Sequence, residues 1–224
     1  MNDLSDPAID VYDNAMFIIA LDYLLEMAPD SPQASRWKSL REGIERNVRA
    51  HLWDVKRQKF IPHIYPEKSP IPEGFDELAI HYHGGTAIAI EAGLLSEDEI
   101  RTVNAQMLEN VRLSGMPSIG LTLYPVYPDG FFHGGMSKAY LYQNGGDWTW
   151  FGGRMIQQLV VNGMVEEAYT EIHPMIERVI QNNGFYEWYG KGGIPSGSGN
   201  FKGSAGVLSK AIELLRDWAE KNKS

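Results

Sequence analysis

The sequence predicts an all-α fold of helical hairpins arranged in two layers. Three observations predict it: seven segments show helical periodicity, apolar and amphipathic helices alternate, and short and long connections alternate. A helix that is apolar on most sides is buried, and an amphipathic helix is half exposed. We therefore expect the odd helices to form an inner layer and the even helices an outer layer.

The helix ends are predicted from capping signals. Ser31 followed by Pro32 is typical of an N-cap with proline at the first helical position, and this pair opens the second helix. Ser96 followed three residues later by Glu99 predicts a capping box at the fourth. The predicted helices are 10–27, 32–52, 77–92, 96–113, 148–161, 165–181 and 203–221, and short strands are predicted at 59–65 and 121–124.

The connections predict where functional residues gather. Odd-to-even links are tight, whereas even-to-odd links run to about 20–30 residues, far beyond the usual helical connection. Odd helices begin at intervals of roughly 55–70 residues, which indicates an internal repeat. The inner helices then run parallel, and all the long loops lie over their N-termini, where free N–H groups and positive dipole ends also lie.

Composition narrows the function. The 224 residues suffice for one domain with a real core, so we predict a single domain over 1–224. A net charge of −9 argues against nucleic-acid and anionic-membrane partners. There is no cysteine and no Gly-rich nucleotide fingerprint, so no metal or other cofactor is expected. The acidic, polar N-terminus is not a secretory signal, which makes the cytoplasm the default location.

Two aromatic segments point to a sugar-binding site. The first, 142–154, combines aromatic rings, amides and charges with four glycines, and the second, 184–190, sets one carboxylate among aromatic rings. Sugars need ring faces to stack on and hydrogen-bond partners for their hydroxyls, while glycines let the backbone approach a ligand. The candidate substrate-binding residues are Tyr142, Asn144, Asp147, Trp148, Trp150, Arg154, Tyr186 and Trp188.

Several of these residues have alternative roles. We expect Trp148 to be the sugar platform and Trp150 to lie partly in the core, because residues at i and i+2 do not share a helix face. Asp147 is as well explained by an N-cap of the fifth helix as by a hydroxyl contact. Arg154 pairs with Asp147 or Glu187, or covers apolar surface with its stem.

Other polar residues are weaker candidates. His81 and His83, two residues apart without a placed carboxylate, give little support for zinc, so we expect one to line the mouth and the other to be structural. His83 is kept as a substrate-binding candidate. Glu77 is expected only to cap the third helix. Asp13 lies in the first turn of the first helix, where it is the best acid candidate within the chain and also a candidate for an N-cap role.

Four segments resemble one family: Asp10-Val-Tyr-Asp-Asn-Ala15, Tyr142-Gln-Asn-Gly-Gly-Asp-Trp-Thr-Trp150, Gly184-Phe-Tyr-Glu-Trp-Tyr-Gly190 and Gly197-Ser-Gly-Asn-Phe-Lys-Gly-Ser-Ala205. Their order and spacing resemble the six-hairpin, or (α/α)6-toroid, glycoside hydrolases of the bacterial α-glucosidase, trehalase, mannosylglycerate-hydrolase and glycogen-debranching groups. The resemblance implies a partial toroid and hydrolysis of an α-glucoside or related oligosaccharide with inversion. It also implies that Glu187 is the general base, opposite an acid at about 6.5–9.5 Å.

The chain departs from the family pattern. Asp147 stands where the family usually has an apolar residue. Seven helices make three and a half hairpins rather than six, and the loop that carries the family's acid would precede Asp10. We therefore expect the C-terminal portion of a larger catalytic domain, which exposes apolar surface and assembles as a homo-oligomer or with a missing N-terminal half. The alternatives are a carbohydrate-binding remnant without catalysis and a structural helical module.

Overall fold

Residues 7–223 form an arc of seven α-helices. The computed structural model describes residues 7–223, so the prediction about a signal at the N-terminus falls largely outside it. The helices are α1 Val11–Met27, α2 Ala34–His51, α3 His83–Glu91, α4 Glu97–Ser114, α5 Thr149–Val161, α6 Val165–Asn182 and α7 Lys202–Lys221. Two antiparallel hairpins complete it, β1 Trp53–Asp54 with β2 Lys59–Phe60, and β3 Trp188–Gly190 with β4 Ile194–Ser196.

The two predicted layers are present. The main contacts run from α1 to α3, from α3 to α5 and from α5 to α7, while α2 packs on α1 and α6 packs on α5. Every residue of α3 from His83 to Ile90 is buried, and one large core joins α1, α3, α5 and α7 with the inward faces of α2, α4 and α6. The all-α prediction is confirmed. Within residues 7–223, no helix combines the length and apolarity needed to cross a bilayer.

A chain of β-bridges gathers the starts of the odd helices. Ile9, before α1, pairs with Ile64, and His81, before α3, pairs with Tyr124. Asp147, before α5, pairs with both Leu121 and Tyr189. Phe185 pairs with Asn200, just before α7. The long loops therefore lie together over the N-termini of the inner helices, as the sequence predicts.

Two predicted helix starts are wrong. The second helix begins at Ala34: the Ser31 hydroxyl accepts only from the Gln33 amide, and no side chain caps α2. The third helix is predicted from residue 77, but a 3₁₀ turn covers Glu77–Ala79 and α3 begins at His83. The reciprocal backbone hydrogen bonds between His81 and Tyr124 hold the intervening segment extended. The capping box of Ser96 and Glu99 is confirmed.

Candidate functional site

Glu187 lies half-buried at the start of the second hairpin. Its backbone N–H donates to Ser198 O at 2.9 Å, and its Oε2 accepts from Ser198 N–H at 3.3 Å. Gly197 lies against this carboxylate: a Cβ there would come within 2.4 Å of Oε2, and its φ is +70°. Glycine is therefore required beside Glu187 by both space and backbone conformation. The hairpin fixes the carboxylate in a loop close to the bridge between Asp147 and Tyr189.

The aromatic rings around Glu187 divide into core and surface. Trp148 is only 5% exposed and packs edge-on against Tyr142 and Phe201. This corrects the prediction that Trp148 is the sugar platform, because its ring has no open face. Tyr142, Trp150, Tyr186 and Trp188 are each partly exposed. Trp188, the residue after Glu187, stands perpendicular to Tyr142, with ring centroids 6.3 Å apart.

Asp147 belongs to a buried network and not to the surface. It is 0% exposed, and both its carboxylate oxygens accept from the Ser118 hydroxyl, at 2.8 and 2.7 Å. Arg178 Nη1 lies 2.7 Å from Asp147 Oδ1, an ion-pair distance without hydrogen-bond alignment. This corrects both roles that the sequence suggests for Asp147, since the α5 N-cap is Trp148 and no side chain caps that helix.

Arg178 extends the network to the hairpin of Glu187. Its Nη2 donates to Thr149 Oγ1 at 2.7 Å, and its guanidinium lies 4.0 Å from the ring centroid of Tyr189. Tyr189 and Asp147 exchange backbone hydrogen bonds of 2.8 and 2.9 Å. One buried ion pair thus joins α6, the start of α5 and the strand that follows Glu187.

Asn144 and Arg154 also have structural partners. Asn144 is 0% exposed and accepts from Tyr127 N–H while donating to Tyr127 O, so both its amide atoms hold a loop. Arg154 pairs with Glu91, neither Asp147 nor Glu187, and lies 4.4 Å from the Trp150 ring centroid. Both Asn144 amide atoms are therefore used within the protein, and the Arg154 guanidinium is held by Glu91 and Trp150 rather than by the residues that the sequence suggests.

The two histidines at the start of α3, His81 before it and His83 as its first residue, are neutral and packed on each other. Their rings stack with centroids 5.7 Å apart. Burial lowers the pKa of His81 to about 4 and that of His83 to about 3. His83 is 4% exposed, and its Nε2 is 2.9 Å from Asn110 Nδ2 on α4, which corrects its prediction as a sugar contact. In residues 7–223 no group of three or more His, Cys, Asp or Glu is arranged to hold a metal ion.

The two aspartates at the start of α1 have different places. Asp10 is the N-cap, and its Oδ1 accepts from Asp13 N–H at 2.8 Å. Burial raises the pKa of Asp10. Asp13 is exposed in the first turn of α1, so its carboxylate is open to solvent at the end where the long loops lie.

A further cluster at this end was not predicted. Glu77 is 9% exposed, and its Oε1 accepts hydrogen bonds from the hydroxyls of Tyr65 and Tyr127 and lies 2.8 Å from His63 Nδ1. Burial opposes ionisation of Glu77, but the three hydrogen bonds outweigh it and hold its pKa below the ordinary value. The partners come from segments far apart in sequence, so no local motif could reveal the cluster.

An arc of helical hairpins in two layers, with the long loops over the N-termini of the inner helices, is the architecture of a helical toroid. Neither a family model nor a curated protein matches the chain. Solved structures do. The GH63 mannosylglycerate hydrolase from Thermus thermophilus, in complex with Tris and D-glycerate, matches with a TM-score of 0.62 at 18% identity, over 94% of this chain and 46% of that chain.

Two further structures agree. The same enzyme in complex with glucose has a TM-score of 0.64 at 17% identity, over 95% of this chain and 46% of that one. An uncharacterized conserved protein from the same organism has a TM-score of 0.65 at 17% identity, over 95% of this chain and 47% of that chain. The chain therefore has the helical-toroid fold of the GH63 glycoside hydrolases, and it spans less than half the length of these relatives.

Proposed function

We propose that this chain carries the general-base side of a glycoside hydrolase active site. Glu187 is the base, and the substrate is an α-linked glucoside or a related oligosaccharide that is hydrolysed with inversion. The observation that carries the proposal is the position of Glu187, a half-exposed carboxylate beside the partly exposed ring of Trp188, on a hairpin anchored over the inner-helix N-termini. One solved relative contains glucose, which makes glucosides the first substrates to test.

The carboxylate of Glu187 is suited to activate a water molecule. Its Oε2 accepts from Ser198 N–H, and a carboxylate has about four lone-pair sites, so acceptor capacity is left for water. A general base must lie within hydrogen-bond reach of the water it deprotonates, and water can reach Glu187 because its side chain is partly exposed. The rigid hairpin supplies that positioning.

Inversion requires a second carboxyl group at about 6.5–9.5 Å from the base. Asp13 is the candidate within the chain because it is exposed at the mouth end of α1. The family resemblance instead assigns the acid to a loop before α1. A sugar-binding site without hydrolysis is the second function to test, because Tyr142, Tyr186 and Trp188 keep exposed ring surface whether or not an acid is present.

Sugar release from a panel of α- and β-linked disaccharides and oligosaccharides tests the proposal, with Glu187→Gln beside the wild type. Glu177→Gln, at a glutamate on the solvent side of α6, is the matched control. We expect release by the wild type and the control and a loss of at least about 10³-fold in Glu187→Gln. Equal release by Glu187→Gln and wild type would overturn the assignment of the base. No release by any of the three, with sugar still bound, would favour the binding function.

A further inference from the structure

A cavity of about 210 Å³ lies between the N-termini of α1 and α3 and the loop before α5. It is smaller than the roughly 300 Å³ at which drug-sized pockets begin, so it has room for a single ring or a short chain. Asp10 and Tyr82, the N-caps of α1 and α3, line it together with His63, Tyr127, Phe132 and Gln143.

The lining offers the groups that recognise hydroxyls. His63 contacts Glu77 through Nδ1, which lies 2.8 Å from Glu77 Oε1, so its other ring nitrogen, Nε2, is left for a ligand. The Asp10 carboxylate adds an acceptor, and the Gln143 amide both donates and accepts. The aromatic rings of Tyr82, Tyr127 and Phe132 provide apolar surface for the carbon face of a ring.

The charge of the lining disfavours anions. Asp10 belongs to the wall and the Glu77 carboxylate lies behind it, and none of the described lining residues is a Lys or Arg. The nearby ammonium of Lys59 is occupied by the carbonyl oxygens of Leu78 and Ile80. An acidic ligand would therefore meet the Asp10 carboxylate in a lining whose described residues include no Lys or Arg, at a cost that grows as water is displaced.

We propose that this cavity is a subsite for an uncharged, hydroxylated ligand, one sugar ring or a short polyol, and that Asp10 makes it reject acidic ligands. This inference rests on the proposed glycoside hydrolase function. Asp10, at the start of the first inner helix, is then the residue that sets this preference.

Binding of D-glucose and D-glucuronate to the whole chain tests the proposal. The two ligands differ in charge but share the ring, and ligand-observed NMR titration measures both without requiring hydrolysis. We expect glucuronate to bind at least about tenfold more weakly than glucose at neutral pH. Asp10→Asn should reduce the difference in affinity between glucose and glucuronate. Asparagine is also a good helix N-cap, so α1 should begin at the same residue. Glu73→Gln is the matched control, since Glu73 is an exposed carboxylate in the loop before α3 and does not line the cavity.

The outcomes separate this inference from the proposed function. Equal binding of the two ligands, no binding of glucose, or equal effects of Asp10→Asn and Glu73→Gln would overturn the inference. Glucose binding that is lost in Glu187→Gln and unchanged in Asp10→Asn would also overturn it, because the sugar would then sit at the base. Glucose release that depends on Glu187 while the cavity binds nothing would leave the hydrolase proposal intact and remove the subsite.

Discussion

At the residue scale, Gly197 controls the position of Glu187. A methyl group at Gly197 would lie 2.4 Å from Glu187 Oε2 and 2.7 Å from its Cβ, and a φ of +70° is already unfavourable for alanine. We expect Gly197→Ala to displace the carboxylate and lower kcat by about 10²-fold, because small misplacements of catalytic groups are costly. The measurement is kcat for the best substrate of the panel, with circular dichroism to confirm folding.

Gly193 provides the control for that experiment. Its φ is +73°, yet a Cβ there would meet nothing within 4 Å. Gly193→Ala therefore introduces the same backbone strain on the other side of β4 without touching Glu187. If both variants lose the same activity, strain in the hairpin explains the effect and the contact with Glu187 does not.

The second residue-scale prediction concerns the pair of Asp147 and Arg178. Both are buried, at 0% and 5% exposure, and removing one partner leaves the other charge uncompensated. We expect Asp147→Asn to lower the free energy of unfolding by about 3–5 kcal/mol, measured by urea denaturation. Adding Arg178→Met to that variant should restore part of the loss. A single variant within about 0.5 kcal/mol of wild type would contradict the buried pair.

At the element scale, the sequence predicts a helix or its start correctly where residues close in the chain determine it, and fails where distant residues do. Periodicity located all seven helices, and the capping box of Ser96 and Glu99 fixed the start of α4. The start of α3 was missed because a cross-chain β-bridge between His81 and Tyr124 determines it. The prediction that Trp148 is a sugar platform failed for the same reason. Residues distant in the chain, such as Phe201, cover its ring.

Glu171 makes the packing of α6 on α4 sensitive to pH. Its Oε1 accepts from Asn104 Nδ2 at 2.8 Å, and burial raises its pKa from the ordinary 4.5 to about 7. Below the ordinary value Glu171 is protonated in both folded and unfolded chains. Between pH 4.5 and about pH 7, Glu171 is ionised in the unfolded chain but protonated in the folded chain. The stability contributed at low pH is therefore lost as pH rises, by an amount on the order of 3 kcal/mol.

Glu171→Gln should remove this dependence. A neutral amide fits the same place and still accepts from Asn104, so we expect the variant to exceed wild type in free energy of unfolding at about pH 7.5 and to match it near pH 5. Urea denaturation at both pH values measures this. Glu177→Gln, on the solvent side of the same helix, should keep the wild-type difference in free energy of unfolding between the two pH values. A Glu171→Gln variant with the wild-type pH dependence would assign that dependence to other groups.

At the scale of the whole molecule, the helical arc has two open ends. The main contacts of α1 are with α2 and α3, and those of α7 are with α5 and α6. The prediction that odd helices are buried therefore holds for α3 and α5 but only in part for α1, whose Phe17, Leu24 and Met27 are 49, 36 and 74% exposed. At the other end, a groove of about 630 Å³ between α6 and α7 is lined by Tyr169, Ile172, Ile176, Ile212, Leu215 and Trp218.

These apolar ends lead to a prediction about assembly. Phe17, Leu24 and Met27 recur at helical spacing on one stripe of α1, and contiguous exposed apolar surface favours association. We expect light scattering to give a mass above the 25.2 kDa of one chain, increasing with concentration. Replacing the three stripe residues by serine should shift the mass towards 25.2 kDa without unfolding the protein, because these side chains lie outside the core.

The control for this prediction lies on the same helix. Glu26 is exposed in α1 but is charged, so Glu26→Ser should leave the mass of the assembly unchanged. A wild-type chain that remains at 25.2 kDa across about a tenfold range of concentration would contradict self-association. In that case we would expect the open ends of the arc to pack against helices that do not come from a second copy. This sequence covers only 46–47% of the length of the solved relatives, so those proteins contain further chain beyond the part that matches.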